Sequence, residues 1–149
     1  LYRAPNNPYV DRLLNKYRSL DGKLVTIAKS RAGTRQLLER LKEGYSAGIL
    51  IDQKYNEGIE IPFFGHPAMT STAFIQLGQK LNIPVIPFRV ERLEGSSFRL
   101  SFHAPITLFE EDGTTPRAHE TILAETHTLL EGWIRERPEQ WLWTHNRWV

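Results

Sequence analysis

The residue pattern predicts an α/β fold, a mixed and largely parallel sheet covered by helices, and three observations carry that expectation. The first third of the chain alternates helix-like and strand-like stretches. The run Ala47-Gly48-Ile49-Leu50-Ile51 is apolar throughout, as a strand buried on both faces of a parallel sheet would be. Further on, Phe74, Ile75, Leu77, Gly78 and Leu81 make a mostly apolar helix that should lie on the sheet.

In order along the chain, Asn6 or Asn7 can cap a helix whose first turn takes Pro8. Val10, Leu13, Leu14 and Tyr17 give that helix one apolar face before Asp21-Gly22 ends it. Leu24 to Ala28 reads as a strand. Leu37, Leu38 and Leu41 mark the buried side of a helix from about Thr34 to Glu43, closed by Gly44. The run 47–51 is the next strand. Asp52 to Gly65 then joins it to a helix through polar, Gly- and Pro-bearing residues, at the strand end where open parallel sheets place binding crevices.

Beyond Pro67, Thr70 or Ser71 can cap the helix that ends near Asn82. Pro84 to Val90 returns as a strand whose prolines remove donors and place it beside a binding edge. Glu94-Gly95-Ser96-Ser97 is a turn signal, and Phe98, Leu100 and Phe102 alternate with Arg99, Ser101 and His103, which predicts an antiparallel pair. Glu110 to Arg117 reads as a surface loop. Ile122, Leu123, Thr126, Leu129, Leu130, Trp133 and Ile134 keep helical period up to Pro138, and all four Trp fall in this last helix and the tail.

At 149 residues and 40% hydrophobic the chain can bury one ordinary core, so a single globular unit is expected. Lys plus Arg number 19 against 17 Asp plus Glu, and the two signs are interspersed, which argues against a nucleic-acid partner. The absence of cysteine excludes disulfide scaffolds, thiolate metal sites and cysteine nucleophiles. No stretch approaches the roughly 18 apolar residues of a bilayer span, and the start lacks the blocks of a signal peptide. The chain begins at Leu1 in mid-phrase and without Met, which points to a fragment.

The familiar catalytic patterns fail in turn. No serine stands in a Gly-x-Ser-x-Gly elbow, and the histidines (His66, His103, His119, His127, His145) include no His-Glu-x-x-His pair, so neither a triad nor a metal site is expected. No Gly-x-Gly-x-x-Gly or Gly-Lys-Thr occurs, and no cofactor is expected. Asp52 and Gln53 admit two readings: a carboxylate capping the following turn or pairing with an arginine, or a pair facing a crevice to orient a polar substrate group. For Phe63-Phe64-Gly65 the residues alone read as core packing and a tight turn.

Tyr2-Arg3 with Asn6-Asn7-Pro8, Ile51-Asp52-Gln53, Ile61-Pro62-Phe63-Phe64-Gly65 with Pro67-Ala68 and Thr70, Pro84-Val85-Ile86-Pro87, and Pro138-Glu139-Gln140-Trp141-Leu142-Trp143-Thr144-His145 follow one another in this chain. Together they resemble the lipid A biosynthesis acyltransferases, the lauroyl and myristoyl transferase family of Gram-negative bacteria. The resemblance runs from the first residue to the last.

It implies the C-terminal part of a glycerophosphate acyltransferase-like fold, a single partial domain over residues 1–149. The implied enzyme moves a fatty acyl chain from acyl carrier protein to a hydroxyl of a lipid A precursor, at the cytoplasmic face of the bacterial inner membrane. Its base is the histidine of a His-x-x-x-x-Asp or His-x-x-x-x-Glu motif, oriented by the carboxylate. Five residues after His66, His103, His119 and His127 stand Ser71, Leu108, Ala124 and Gly132, so no catalytic dyad is present. The family places that motif and a membrane helix upstream of the Tyr-Arg block, and the fragment alone is expected to be inactive.

By the same resemblance the substrate-binding residues are Arg3, Asp52, Gln53, Phe63, Phe64, Gly65 and Thr70, with Arg3 meeting a phosphate or the acyl donor and Phe63-Phe64-Gly65 shaping the cleft. The alternative is a non-catalytic acyltransferase-like module binding acyl carrier protein or an anionic membrane surface. The Trp-rich tail either packs on the sheet or meets a membrane interface. Removing an upstream half would leave apolar faces and a sheet edge uncovered.

Overall fold

The computed structural model describes residues 5–19, 24–27 and 30–148, and the chain divides into two units, Leu1–Ile49 and Leu50–Val149. In the first, helix α1 spans Pro8–Arg18. Asn7 caps it, its side-chain oxygen accepting from the amides of Tyr9 (2.9 Å) and Val10 (3.4 Å), and Pro8 fills the first turn, where its missing N–H leaves nothing unpaired. Helix α2, Arg31–Lys42, starts earlier than its apolar spacing indicates because Ser30 caps the amide of Gly33 at 3.0 Å. Gly44, at φ 89°, closes it as expected: its amide bonds Leu41 O and that of Tyr45 bonds Arg40 O, which satisfies the last carbonyls.

The second unit holds the strands. Strands β1 (Ile59–Phe63) and β2 (His66–Thr70) form one antiparallel hairpin, and β3 (Phe88–Arg92) and β4 (Phe98–Phe102) form another. Helix α3, Ala73–Leu81, follows β2, and helix α4, His119–Glu136, lies against β1. Ile61, Phe63, Ala68 and Thr70 are buried on one face of the first hairpin, and Ile122, Leu123, Thr126, His127 and Ile134 are the buried side of α4. A short 3-10 turn, Pro138–Gln140, leads into the tail, where Trp141 and Trp148 pack on the cluster of Phe63, Ala68 and Ile134.

The expected largely parallel sheet is corrected: among the described residues both sheets are two-stranded and antiparallel. Residues 24–27 and 47–51, read as strands, are irregular, and Leu50 is 74% exposed. A parallel strand needs a neighbour delivered by a crossover, and neither run has one among these residues; a short apolar run by itself does not distinguish a buried strand from irregular chain. Residues 24–27 are instead held to α1, where the Thr26 hydroxyl donates to Asn15 Oδ1 at 2.8 Å. The Asp21-Gly22 stop and Ala28 lie outside the described residues.

The β3–β4 pairing is antiparallel as expected, but β3 begins only at Phe88. Pro84 and Pro87 have no amide to give, so the extension is limited to the amides of His103 and Ile106 donating to Pro87 O and Val85 O. The hairpin is apolar on its outer side. Phe88, Val90, Phe98, Leu100 and Phe102 are all exposed, while Arg89 and Glu91 engage Glu136 at 2.6 Å and Arg137 at 3.2 Å beside α4.

Candidate functional site

The Phe63-Phe64-Gly65 block is the turn of the first hairpin. Phe63 pairs with His66, and the two residues between them have φ 51° (Phe64) and 77° (Gly65), the backbone of a type I′ turn, whose twist matches that of the strands. Such φ values are ordinary for glycine but not for phenylalanine. Phe64 is held there by its own contacts: its amide donates to Glu131 Oε1 at 2.7 Å, and the Arg135 guanidinium lies 4.8 Å from its ring centroid.

The two-residue turn also explains the prolines. With Phe63 and His66 as the hydrogen-bonded pair, Pro62 opposite Pro67 is a non-hydrogen-bonded pair, whose missing amides would have pointed away from the ladder. Outward carbonyls recur at such positions and are used here. Pro62 O accepts from His127 Nδ1 at 2.8 Å, while Met69 O accepts from the amide of Tyr55 (3.1 Å) and Arg147 Nη1 (2.9 Å).

Arg147 is fully buried, 0% exposed, which is unusual for an ion. Its Nη2 donates to Thr70 Oγ1 at 2.7 Å and lies 3.3 Å from His127 Nε2, and the guanidinium sits 5.3 Å from the Phe63 ring centroid. A carbonyl can only accept, so His127 Nδ1 carries the proton and Nε2 presents a lone pair to Arg147. Burial, assisted by the Arg147 charge, holds the His127 pKa below its ordinary value, although the Pro62 carbonyl and Glu131 act in the other direction. Burial also lowers the pKa of Arg147, opposed by the charge of Asp52.

Beside this cluster is a small cleft of about 50 Å³ lined by Asp52, Gln53, Trp141, Leu142 and His145. Two contacts of Lys54 fix its wall: the amide donates to His145 Nε2 at 3.1 Å and the ammonium to Trp148 O at 3.3 Å. The Trp148 indole in turn donates to Phe63 O at 2.9 Å. Asp52 makes no hydrogen bond or contact-distance ion pair among the described residues, although its charge favours the ionised form of Arg147. The cleft thus offers an uncommitted carboxylate and an amide beside an indole and an exposed leucine, a set suited to holding a polar group with an apolar neighbour.

Three of the histidines have their contacts taken up or are buried. His145 Nε2 is occupied by the Lys54 amide, His127 is 2% exposed, and His119 Nε2 is 3.1 Å from Gln79 Oε1. None of these bonds goes to a carboxylate. No three His, Asp or Glu side chains converge on a metal-sized site among the described residues.

Of the residues singled out in the sequence, Asp52 and Gln53 meet in the cleft, and Phe63, Phe64 and Gly65 form the turn whose first residue anchors the tail. Thr70 is 1% exposed, with its hydroxyl donating to Ala68 O at 3.0 Å and accepting from Arg147. Arg3 lies outside the described residues. Trp141, Leu142 and His145 belong to a distinctive block that the sequence linked to packing or a membrane interface and not to the cleft. His127 was read only as a failed metal or dyad candidate and Arg147 was given no role, although His127 falls between Leu123 and Ile134 on the helical period that marks the buried face of α4.

No helix of the described residues is long and apolar enough to cross a membrane. Comparison with curated proteins returns no match. A family model described as bacterial lipid A biosynthesis acyltransferase matches residues 1–149. That match takes in the Phe63-Phe64-Gly65 turn, the Asp52-Gln53 pair and the tail that meets them, and on its full length this chain belongs to the bacterial lipid A biosynthesis acyltransferase family.

Proposed function

We propose that these residues form the substrate side of an acyltransferase that moves a fatty acyl chain from acyl carrier protein to a hydroxyl of a lipid A precursor at the cytoplasmic face of the bacterial inner membrane. Asp52 and Gln53 position the acceptor, Phe63, Phe64 and Gly65 shape the wall behind it, Thr70 supports that wall from inside, and Arg3 meets phosphate or the acyl donor. The general base belongs to a His-x-x-x-x-Asp or His-x-x-x-x-Glu motif outside these residues. The observation that carries this reading is the cleft itself, in which Asp52, free of hydrogen bonds among the described residues, faces residues of the tail while the lining histidine, His145, spends Nε2 on a backbone amide.

The test is acyl transfer. The 149-residue chain, given acyl carrier protein loaded with laurate or myristate and a lipid A precursor, is expected to show no turnover. A longer chain that includes the motif is expected to turn over, and in it Asp52→Ala should lower the rate by about tenfold or more, a loss of roughly 1.4 kcal/mol of transition-state stabilisation. Arg117→Ala should leave the rate near that of the parent, because Arg117 is engaged with Glu125 and Thr107 O. Turnover by the 149 residues alone overturns the external base, and equal effects of the two substitutions remove Asp52 from the site. A longer chain that binds acyl carrier protein without transfer would instead mark a non-catalytic module.

A further inference from the structure

The tail supplies Trp141, Leu142 and His145 to the cleft, and its far end is inserted into the core by Arg147. We infer that Thr70, His127 and Arg147 form a proton-sensitive latch that positions the tail wall of the cleft, and that protonation of His127 at Nε2 opens it. The geometry allows one site for the incoming proton. Nδ1 already donates to Pro62 O, so the proton goes to Nε2, the atom 3.3 Å from Arg147 Nη2. An acceptor then becomes a donor aimed at a donor, and a second cation forms beside a guanidinium in a site from which water is excluded.

The groups around the ring do not offset that change. On α4, Glu131 favours the proton but is committed to the Phe64 amide and to Arg135 at 2.9 Å. On β1 stand the Pro62 carbonyl and the Phe63 ring, 5.0 Å between centroids, and on β2 the neutral Thr70 hydroxyl. From the tail, among the described residues, comes Arg147, on which the charge of Asp52 acts without a hydrogen bond between the two. Release of Arg147 withdraws the neighbouring Trp148 from Phe63 O and His145 from Lys54, and with them the cleft wall. Thr70, His127 and Arg147 are therefore positioning residues. Their bearing on acyl transfer rests on the function proposed above, whereas the latch itself does not.

The experiment follows the 149-residue chain by NMR as pH is lowered, reading the His127 ring and the Trp148 indole Nε1–H. That indole is the right reporter because its bond to Phe63 O contains no titratable group. His145 is a second titratable acceptor in the tail, so the series is repeated with His145→Gln. The expected result is an indole transition whose midpoint coincides with that of His127, persists in His145→Gln and is abolished in His127→Gln, whose amide oxygen accepts from Arg147 but takes no proton. An indole resonance that stays in place while His127 titrates overturns the latch, as does an unchanged transition in His127→Gln. Should His127→Gln fail to fold, coincidence or separation of the two midpoints in the parent decides. Acyl transfer does not enter the measurement, so failure of the latch and failure of the proposed function are read separately.

Discussion

Arg147 Nη2 donates a 2.7 Å hydrogen bond to the hydroxyl of Thr70, a residue 77 positions earlier, and so ties the end of the chain to the second strand of the first hairpin. The same guanidinium donates to Met69 O, which also accepts from the Tyr55 amide, and its Nη2 lies against the His127 lone pair. Arg147→Met removes both donating nitrogens, and with them all three contacts, while keeping much of the volume. Hydrogen bonds from a charged donor contribute about 1.5–3 kcal/mol each and buried acceptors left unpaired are costly, so a loss of roughly 2–4 kcal/mol in urea unfolding is expected. Arg147→Lys, with its own ammonium donors, should recover part of it.

His127 makes stability depend on pH in a definite direction. Its folded pKa lies below the ordinary 6.5, so between the two values the unfolded chain binds more protons than the folded one. Stability contributed by the neutral ring is complete above the unfolded value and is lost as pH falls from there through the folded value. The urea midpoint of the parent should therefore fall between about pH 7 and pH 5 by more than that of His127→Gln, the difference isolating this ring from the carboxylates. Parallel curves for the two proteins would assign the change elsewhere.

Gly65 sits at φ 77° with open space where a Cβ would stand, so a substitution there acts through the backbone alone. Gly65→Ala is expected to lower stability by about 1 kcal/mol, and Gly65→Asn by less, because asparagine tolerates the left-handed region. Thermal unfolding of the two variants measures the order. Gly58 is the opposite case: a Cβ there would collide with the backbone of Thr70, so Gly58→Ala should be the more damaging change, on the order of 1–3 kcal/mol.

The outer side of the second hairpin is unusual in being the apolar one. Val90 opposes Leu100 and Phe88 opposes Phe102, with the two phenylalanine rings 5.8 Å apart, and all four residues are exposed. A double change, Val90→Thr with Leu100→Thr, keeps β-branched or strand-tolerant residues while removing apolar surface. Binding of a hydrophobic dye should fall clearly, with stability altered by no more than about 0.5 kcal/mol per site. A large loss of stability would mean that this face is packed rather than open.

The helices were the most legible part of the chain, because their signals are local. Asn7 caps α1, Gly44 closes α2, and the apolar period of 122–134 is the buried side of α4. The second hairpin was legible too, from alternation on either side of a Gly-Ser turn. The first hairpin was not. Ile59, Ile61 and Phe63 alternate as a strand does, but Pro62 and the positive-φ Phe64 disguise the pattern, and both make sense only once the two-residue turn and its pairing are known. The runs at 24–28 and 47–51 misled in the other direction, since apolarity reports a preference for burial and says nothing of which strand, if any, would supply a ladder.

By itself the sequence determined family membership, the existence and apolar faces of the helices, and the absence of a His-x-x-x-x-Asp or His-x-x-x-x-Glu motif within these residues, because motifs and spacings are properties of neighbouring residues. The tertiary structure alone decided that Asp52 and Gln53 share a cleft with Trp141 and His145, and that Thr70 answers to His127 and Arg147. Those meetings join positions far apart in the chain. They depend on where burial and hydrogen-bond satisfaction bring the first hairpin, α4 and the tail together, and no local pattern encodes that.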